Sequence, residues 1–275
     1  MRRAFAQIDV FPAGPFGGNP VAVVLDGDGL ATQEMQRLAH WTNLSETTFV
    51  LPTTEPGADY RVRIFTPVAE LPFAGHPTLG TAHAWLEHGG RAATEVVQEC
   101  GAGLVPVRRT ADGLAFAAPP LIRDGPVEAA LVARVARVLN VDREAIVDTQ
   151  WADNGPGWVA VLLSDADAVL AVEPGWVEDL DIGVAGPHAP GGPADWEVRA
   201  FFPKDGVTVE DPVTGSLNAA LADWLRRSGR ATLPYVVRQG TALGRDGRVH
   251  LSEDADGRIW VAGTTTTRVS GELDA

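Results

Sequence analysis

The sequence predicts an α+β fold of two similar halves, each an antiparallel half-barrel of strands wrapped around one central helix. Three observations predict it. A motif recurs half a chain apart: Glu70-Leu71-Pro72-Phe73-Ala74-Gly75-His76 and Glu210-Asp211-Pro212-Val213-Thr214-Gly215-Ser216, at an offset of 140 (210 − 70). Gly75 and Gly215, Ala82 and Ala222, Trp85 and Leu225, and Gly89 and Gly229 continue the same register. Many short segments alternate apolar and polar residues, with Gly, Pro, Asp and Asn between them and few helices intervening, which favours antiparallel pairing over βαβ units. The segment after each motif copy is rich in Ala and apolar around most of its circumference, and a helix of that kind is buried.

In chain order, Ala4–Phe11 alternates as a strand does. Asn19 to Leu25 forms an apolar run that is nearly in step with Gly157 to Leu163. Thr32–His40 reads as an amphipathic helix and Thr47–Leu51 as a strand. Tyr60, Val62 and Ile64 share one strand face, and Thr78–His88 is the first buried helix. Leu104–Val107 and Leu114–Ala117 are short strands. Ala117–Gly125, with Pro119 and Pro120, reads as the linker. Val127–Leu139 is amphipathic, with Leu131, Val135, Val138 and Leu139 on one stripe, and Gly183–Pro193 reads as a loop. Trp196, Val198, Ala200 and Phe202 share a strand face, and Leu217–Arg227 is the second buried helix. Tyr235–Arg238, Val249–Leu251 and Arg258–Ala262 complete the strands. The expected domains are residues 1–117 and 118–262, with 263–275 a tail that has room to pack on the first.

The chain has 275 residues and a formal net charge of −14. That balance disfavours a nucleic-acid or anionic-membrane surface, both of which need basic patches. An anionic substrate would need local positive potential. The single cysteine, Cys100, excludes an intrachain disulfide and a multi-cysteine metal site. No signal-like run and no stretch of about 20 apolar residues occurs. The expectation is a cytoplasmic protein with no metal, no nucleic-acid partner and no membrane contact.

The duplicated motif has a chemical rationale. Each copy sets a glycine beside a polar residue at the start of a buried helix. Unpaired N–H groups at helix N-termini bind anions, and glycine allows close approach to the backbone. Gly75 and Gly215 are therefore candidates for holding a substrate carboxylate in a cleft between the halves, against the plainer role of tight turns. His76 occupies the position matched by Ser216, and an imidazole with an ordinary pKa near 6.5 can give or take a proton. Ser216 can bond a ligand or cap its helix. Asp211 is a candidate cleft carboxylate, whereas Glu210 repeats Glu70 and reads as scaffold. Glu46 stands at the entry to a strand, where partial burial would raise its carboxyl toward the range useful for proton transfer; a solvated side chain is the competing reading. The eight tryptophans suit an aromatic pocket, a core or an interface equally.

Four segments together resemble the PhzF-like phenazine-biosynthesis family, on the diaminopimelate-epimerase fold. They are Phe16-Gly17-Gly18-Asn19-Pro20-Val21-Ala22-Val23, Asn43-Leu44-Ser45-Glu46-Thr47-Thr48-Phe49-Val50, Arg63-Ile64-Phe65-Thr66-Pro67 running on through Glu70 to Ala82, and Glu210 to Ser216. The resemblance implies a cofactor-free isomerase, a homodimer, and a dihydro-hydroxyanthranilate-type substrate. It implies that Glu46 relocates a proton between ring carbons, that His76 and Asp211 protonate or orient the substrate, and that Ser45, Gly75, Gly215 and Ser216 hold its polar groups. The related epimerases use two facing cysteines, which this chain lacks at the repeat positions. A non-thiol epimerase or racemase of an amino-acid derivative, and a catalytically silent ligand-binding protein, are the alternatives.

Overall fold

A computed structural model describes residues 1–91 and 94–275, which divide into two compact units: Met1–Ala117 with Ala262–Ala275, and Ala118–Val261. The fold is mixed α/β, dominated by sheet, with few helices. No helix among the described residues is long and apolar enough to cross a membrane.

The first unit contains β1 (Arg2–Val10), β2 (Asn19–Val24), α1 (Thr32–Thr42), β3 (Glu46–Leu51), β4 (Tyr60–Phe65), β5 (Glu70–Leu71), α2 (Gly75–Glu87), β6 (Glu95–Cys100), β7 (Gly103–Thr110), β8 (Gly113–Ala117) and a strand from the chain end, Thr265–Asp274. That last strand pairs antiparallel with β1 from Arg2↔Asp274 to Val10↔Thr265, with a register shift between Gln7 and Ile8. Its polar sequence carries no alternation to announce it; the open edge of β1 organises it. On the other side, β1 pairs antiparallel with β2, β2 runs parallel to β3, β3 antiparallel to β4, β4 parallel to β6, and β6–β7–β8 form a meander. The two parallel pairs correct the purely antiparallel expectation. Each joins strands linked through a helix, α1 or α2, and a parallel connection requires such a crossover.

Local chemistry explains both helices. The Glu34 carboxylate accepts the Ala31 N–H at 2.8 Å, closing the first turn of α1. Asn43, left-handed at φ 54°, ends it and delivers the chain to Glu46 three residues on. In α2, Leu79, Gly80, Thr81, Ala82 and Ala84 are all buried, and the helix lies against β1, β2, β3, β6, β7, β8 and the last strand. Gly80 permits the closest approach: a Cβ there would stand 2.3 Å from Val21 Cγ1 and 3.1 Å from Val10 Cγ2. Beneath α1, Met35, Ala39, Val24, Phe49 and Phe65 form a separate apolar cluster.

The second unit contains β9 (Arg123–Pro126), α3 (Ala129–Leu139), β10 (Asp148–Asp153), β11 (Val159–Leu162), α4 (Ala166–Leu170), β12 (Ile182–Pro187), β13 (Trp196–Lys204), β14 (Val207–Asp211), α5 (Gly215–Arg227), β15 (Tyr235–Gln239), β16 (Gly247–Glu253) and the first three residues of β17 (Ile259–Gly263); the chain-end strand of the first unit is thus β18. The pairing sequence repeats that of the first unit: β10–β11 antiparallel, β11–β12 parallel, β12–β13 antiparallel, a β13–β14 hairpin, β13–β15 parallel and β15–β16 antiparallel. The core packs the Val132, Val135 and Leu139 stripe of α3 over Val159, Val161, Ile182, Val184 and Phe201. Each such side chain contributes roughly 1.5–3 kcal/mol on burial.

Three expectations change here. The stretch expected to be a Gly/Pro-rich loop is strand β12 as far as Pro187, and it is almost wholly buried. Its glycines record close packing: a Cβ on Gly183 would meet Leu217 Cδ1 of α5 at 2.3 Å. The expected linker to Gly125 already belongs to β9 from Arg123, paired with β10. The short helix α4, whose first turn is capped by Asp165 accepting the Ala168 N–H at 2.8 Å, has too few residues to show a periodicity.

Candidate functional site

Glu46 opens β3, directly after the left-handed turn at Asn43, and pairs with Val21 of the parallel strand β2. His76 is the second residue of α2. Although 30 residues separate them, His76 Nε2 lies 3.2 Å from Glu46 Oε2, with side-chain exposures of 5% and 14%. Asn19, at the start of β2, places its amide nitrogen 3.4 Å from His76 Nδ1. The neutral ring carries a single N–H, and both the Pro20 carbonyl and the Glu46 carboxylate face the ring as acceptors. Burial pushes the His76 imidazole down to about 3, against an opposing hydrogen bond to the Pro20 carbonyl. The ring is therefore neutral at physiological pH, and its contact with Glu46 is not an ion pair. The near-neutral titration expected from an ordinary histidine is lost to burial.

Gly18, just before Asn19, donates its N–H to Asp9 Oδ1 at 2.9 Å. A Cβ on Gly18 would stand 2.0 Å from the Val10 carbonyl oxygen, so only glycine fits beside β1. Asp9 is in turn met by Arg268 of β18 at 3.3 Å. Ser45 and Gly75 adjoin Glu46 and His76 in the chain. Ala74, ahead of α2, has no side chain that could cap the helix.

In the second unit, Asp211 ends β14, buried, and accepts the Thr214 hydroxyl at 2.6 Å. Gln239 of β15 clamps the turn. Its Oε1 accepts the Thr214 N–H at 3.0 Å and the Asn218 amide at 2.8 Å, while its Nε2 donates to the Asp211 carbonyl at 3.1 Å. The Thr214 hydroxyl is thus engaged with Asp211, and α5 also begins without a side-chain cap. Gly215 and Ser216 form its first turn. The Trp158 indole N–H donates to Ser216 Oγ at 3.1 Å, which leaves the serine hydroxyl hydrogen free to serve as donor. The Asn154 amide donates to the Ser216 carbonyl at 2.8 Å.

Glu70 and Glu210 are scaffold in both copies. Arg63 grips Glu70 through two bonds of 2.7 and 2.6 Å, and Arg199 grips Glu210 through two of 3.0 and 2.8 Å. Each arginine also sits over a phenylalanine two residues on, Phe65 or Phe201. Sequence reasoning passed over these arginines, and over Asn154, Trp158, Asn218 and Gln239. The one available signal was the match of Arg63-Ile64-Phe65 to Arg199-Ala200-Phe201; the other contacts join residues that no spacing connects.

The fold can be compared with known proteins. The phenazine biosynthesis-like protein family matches residues 8–271. A fission-yeast (Schizosaccharomyces pombe) protein called antisense-enhancing sequence 1 is 35% identical, covering 98% of both chains. The trans-2,3-dihydro-3-hydroxyanthranilate isomerase of Pseudomonas fluorescens is 37% identical, covering 88% of this chain and 87% of its own. A Bacillus anthracis phenazine biosynthesis protein of the PhzF family superposes over 100% of both chains, with a TM-score of 0.85 at 24% identity, a likeness of fold. On this evidence, the chain belongs to the phenazine biosynthesis-like, or PhzF, family of isomerases.

Proposed function

We propose that the chain isomerises a small carboxylate substrate by moving a proton between carbons through Glu46, with trans-2,3-dihydro-3-hydroxyanthranilate as the model substrate. The observation that carries this reading is the 3.2 Å contact between Glu46 and a neutral, buried His76 at an uncapped helix end. The Glu46 carboxylate takes a proton from a ring carbon. The released electron pair shifts the adjacent double bond, and the same carboxyl returns the proton to a second carbon. A cation at 3.2 Å would weaken this base, and burial keeps the imidazole beside it neutral.

The uncapped N–H groups at Gly75 and His76 suit a carboxylate oxygen, as do those at Gly215 and Ser216, and the macrodipole adds to each. Ser45 and Ser216 supply hydroxyl donors, and Asp211, held by Thr214, orients a polar group of the substrate. The side chains carry the proposed proton transfer themselves. The same reading makes each unit a half-barrel about its helix, and the enzyme a cytoplasmic homodimer, which sedimentation would test.

Glu46→Gln is the deciding variant. Turnover of the model substrate should fall about 10³-fold, within the range for loss of a general base, while calorimetric binding persists. Normal turnover would end the proposal. In heavy water, deuterium should appear at a ring or alkene carbon. Its appearance at a stereocentre with inversion would instead mark a non-thiol epimerase.

A further inference from the structure

Strand β18 does not pair with β1 in unbroken register. Gln7 faces Val269, but the next residue, Ile8, faces Thr267, so Arg268 stands opposite no residue of β1. An extra residue of this kind is a β-bulge. It bends the strand and re-aims a side chain, and bulges gather beside active sites. The side chain re-aimed here is a guanidinium. Its Nε lies 3.3 Å from Asp9 Oδ2, and its central carbon stands 5.1 Å from the centre of the Phe16 ring.

Asp9 is 2% exposed and stands between Ile8 and Val10, both fully buried. A carboxylate at that depth costs stability unless it is paired and hydrogen-bonded. Asp9 is both: one oxygen meets Arg268 and the other accepts the Gly18 N–H. It thereby ties β18 to the loop between β1 and β2. That loop is strained at both ends. Phe11 at φ 65° and Phe16 at φ 61° hold left-handed backbone, which bulky residues rarely adopt. Such backbone persists where contacts over-determine it, and it clusters at functional sites. The contacts come from the chain end. The Thr264 carbonyl accepts the Phe11 N–H at 2.8 Å, and the Thr264 hydroxyl donates to the Pro12 carbonyl at 2.7 Å. The loop delivers Asn19 and Pro20. The Asn19 amide nitrogen is 3.4 Å from His76 Nδ1, and the Pro20 carbonyl bonds the same ring. Pro20 also faces Asp9 across the β1–β2 pair. A line of contacts and one short stretch of backbone thus joins Arg268 to His76, and through it to Glu46, inside the first unit.

We infer that Arg268 and Asp9 are positioning residues for the Glu46–His76 pair. The bulge of β18 aims the arginine at Asp9, Asp9 fixes the segment from Gly18 to Pro20, and that segment fixes the imidazole beside Glu46. The expected effect on turnover rests on the proton-transfer reading above; the effect on the imidazole does not. Neither residue touches the reacting atoms, so the loss on removing them falls on kcat and spares KM.

The test joins turnover of trans-2,3-dihydro-3-hydroxyanthranilate to nitrogen NMR of histidine-labelled protein, with the His76 signals assigned by their loss in His76→Gln. The double variant Asp9→Leu/Arg268→Met removes both charges at once and leaves no buried ion unpaired, so it should fold. It should lower kcat about 30-fold, keep KM within about threefold and displace the His76 ring-nitrogen signals by more than their linewidth. Arg268→Lys, which keeps a cation for Asp9, should recover most of the rate. Arg2→Met breaks the exposed 3.3 Å ion pair with Glu272 on the same two strands and should change neither readout. A folded double variant with wild-type kcat and unmoved His76 signals overturns the inference. Lost rate with unmoved His76 signals overturns it too, because the effect then bypasses the imidazole. An inactive wild type overturns the proton-transfer reading alone, and the His76 signals then decide the positioning by themselves. If the double variant does not fold, Arg268→Ala, whose vacated space admits water to Asp9, takes its place with the same expectations.

Discussion

Burial of His76 should make this protein sensitive to mild acid in a way one substitution can isolate. His76 is 4% exposed, and its imidazole is held down to about 3 from an ordinary value of 6.5. Its folded-state pKa is depressed, so the unfolded chain binds the proton first, and folding stability falls as pH drops through 6.5 toward 3. Each pKa step is worth about 1.36 kcal/mol. The full gap of about 3.5 (6.5 − 3) amounts to about 5 kcal/mol, reached only below pH 3. At pH 5 only the unfolded ring is protonated, and the loss relative to pH 7 is about 2 kcal/mol. The carboxyl of Asp181, raised to about 6, works the other way: its penalty is relieved as pH falls through 6. The comparison is therefore made within a pair of proteins. Urea unfolding of wild type and His76→Gln is measured at pH 7 and pH 5, and each protein's own change is taken. The wild-type loss should exceed that of the variant by about 2 kcal/mol, every other titrating group cancelling. Equal losses would show that His76 is solvated or protonated in the folded protein, and the neutral-imidazole argument would fall.

Two further predictions concern the scaffold. Arg199→Met should cost about 3–5 kcal/mol, because Arg199 and Glu210 are 6% and 9% exposed and the guanidinium also serves the Val169 and Val172 carbonyls. Arg63→Met should cost no more than about 1 kcal/mol, since Glu70 is 39% exposed; equal melting shifts for the two variants would contradict the burial argument. Gly80→Ala should destabilise by about 1–3 kcal/mol through overpacking against Val21, whereas in an open helix the same change stabilises. A raised melting temperature would show that α2 lies farther from β1 and β2 than described.

Local patterns marked the elements that carry enough residues to show a period. The helices beginning near Thr32, Val127 and the two motif copies all form, with ends displaced by a few residues at most. In both motif helices the structure starts earlier than the apolar pattern, at Gly75 and Gly215, because the first turn is set by backbone geometry and not by side-chain hydrophobicity. Strand β12 escaped notice because its glycines answer to Leu217 and to the chain at Asp165, partners distant in sequence. Strand β18 escaped because its pairing with β1 is made by backbone groups, to which a run of threonines gives no clue.

The amino-acid sequence by itself determined the doubled plan: a repeated turn-and-helix unit, alternating strands around it, and polar residues at each helix head. These are properties of neighbours along the chain, where periodicity, glycine and capping chemistry act directly. Only the tertiary structure decided that Glu46 meets His76, that burial strips the imidazole of its charge, and that the bulge of β18 aims Arg268 at Asp9. Proximity, dielectric and strand register are set by segments far apart in sequence, and they exist only once the strands have paired and the helices have closed on them.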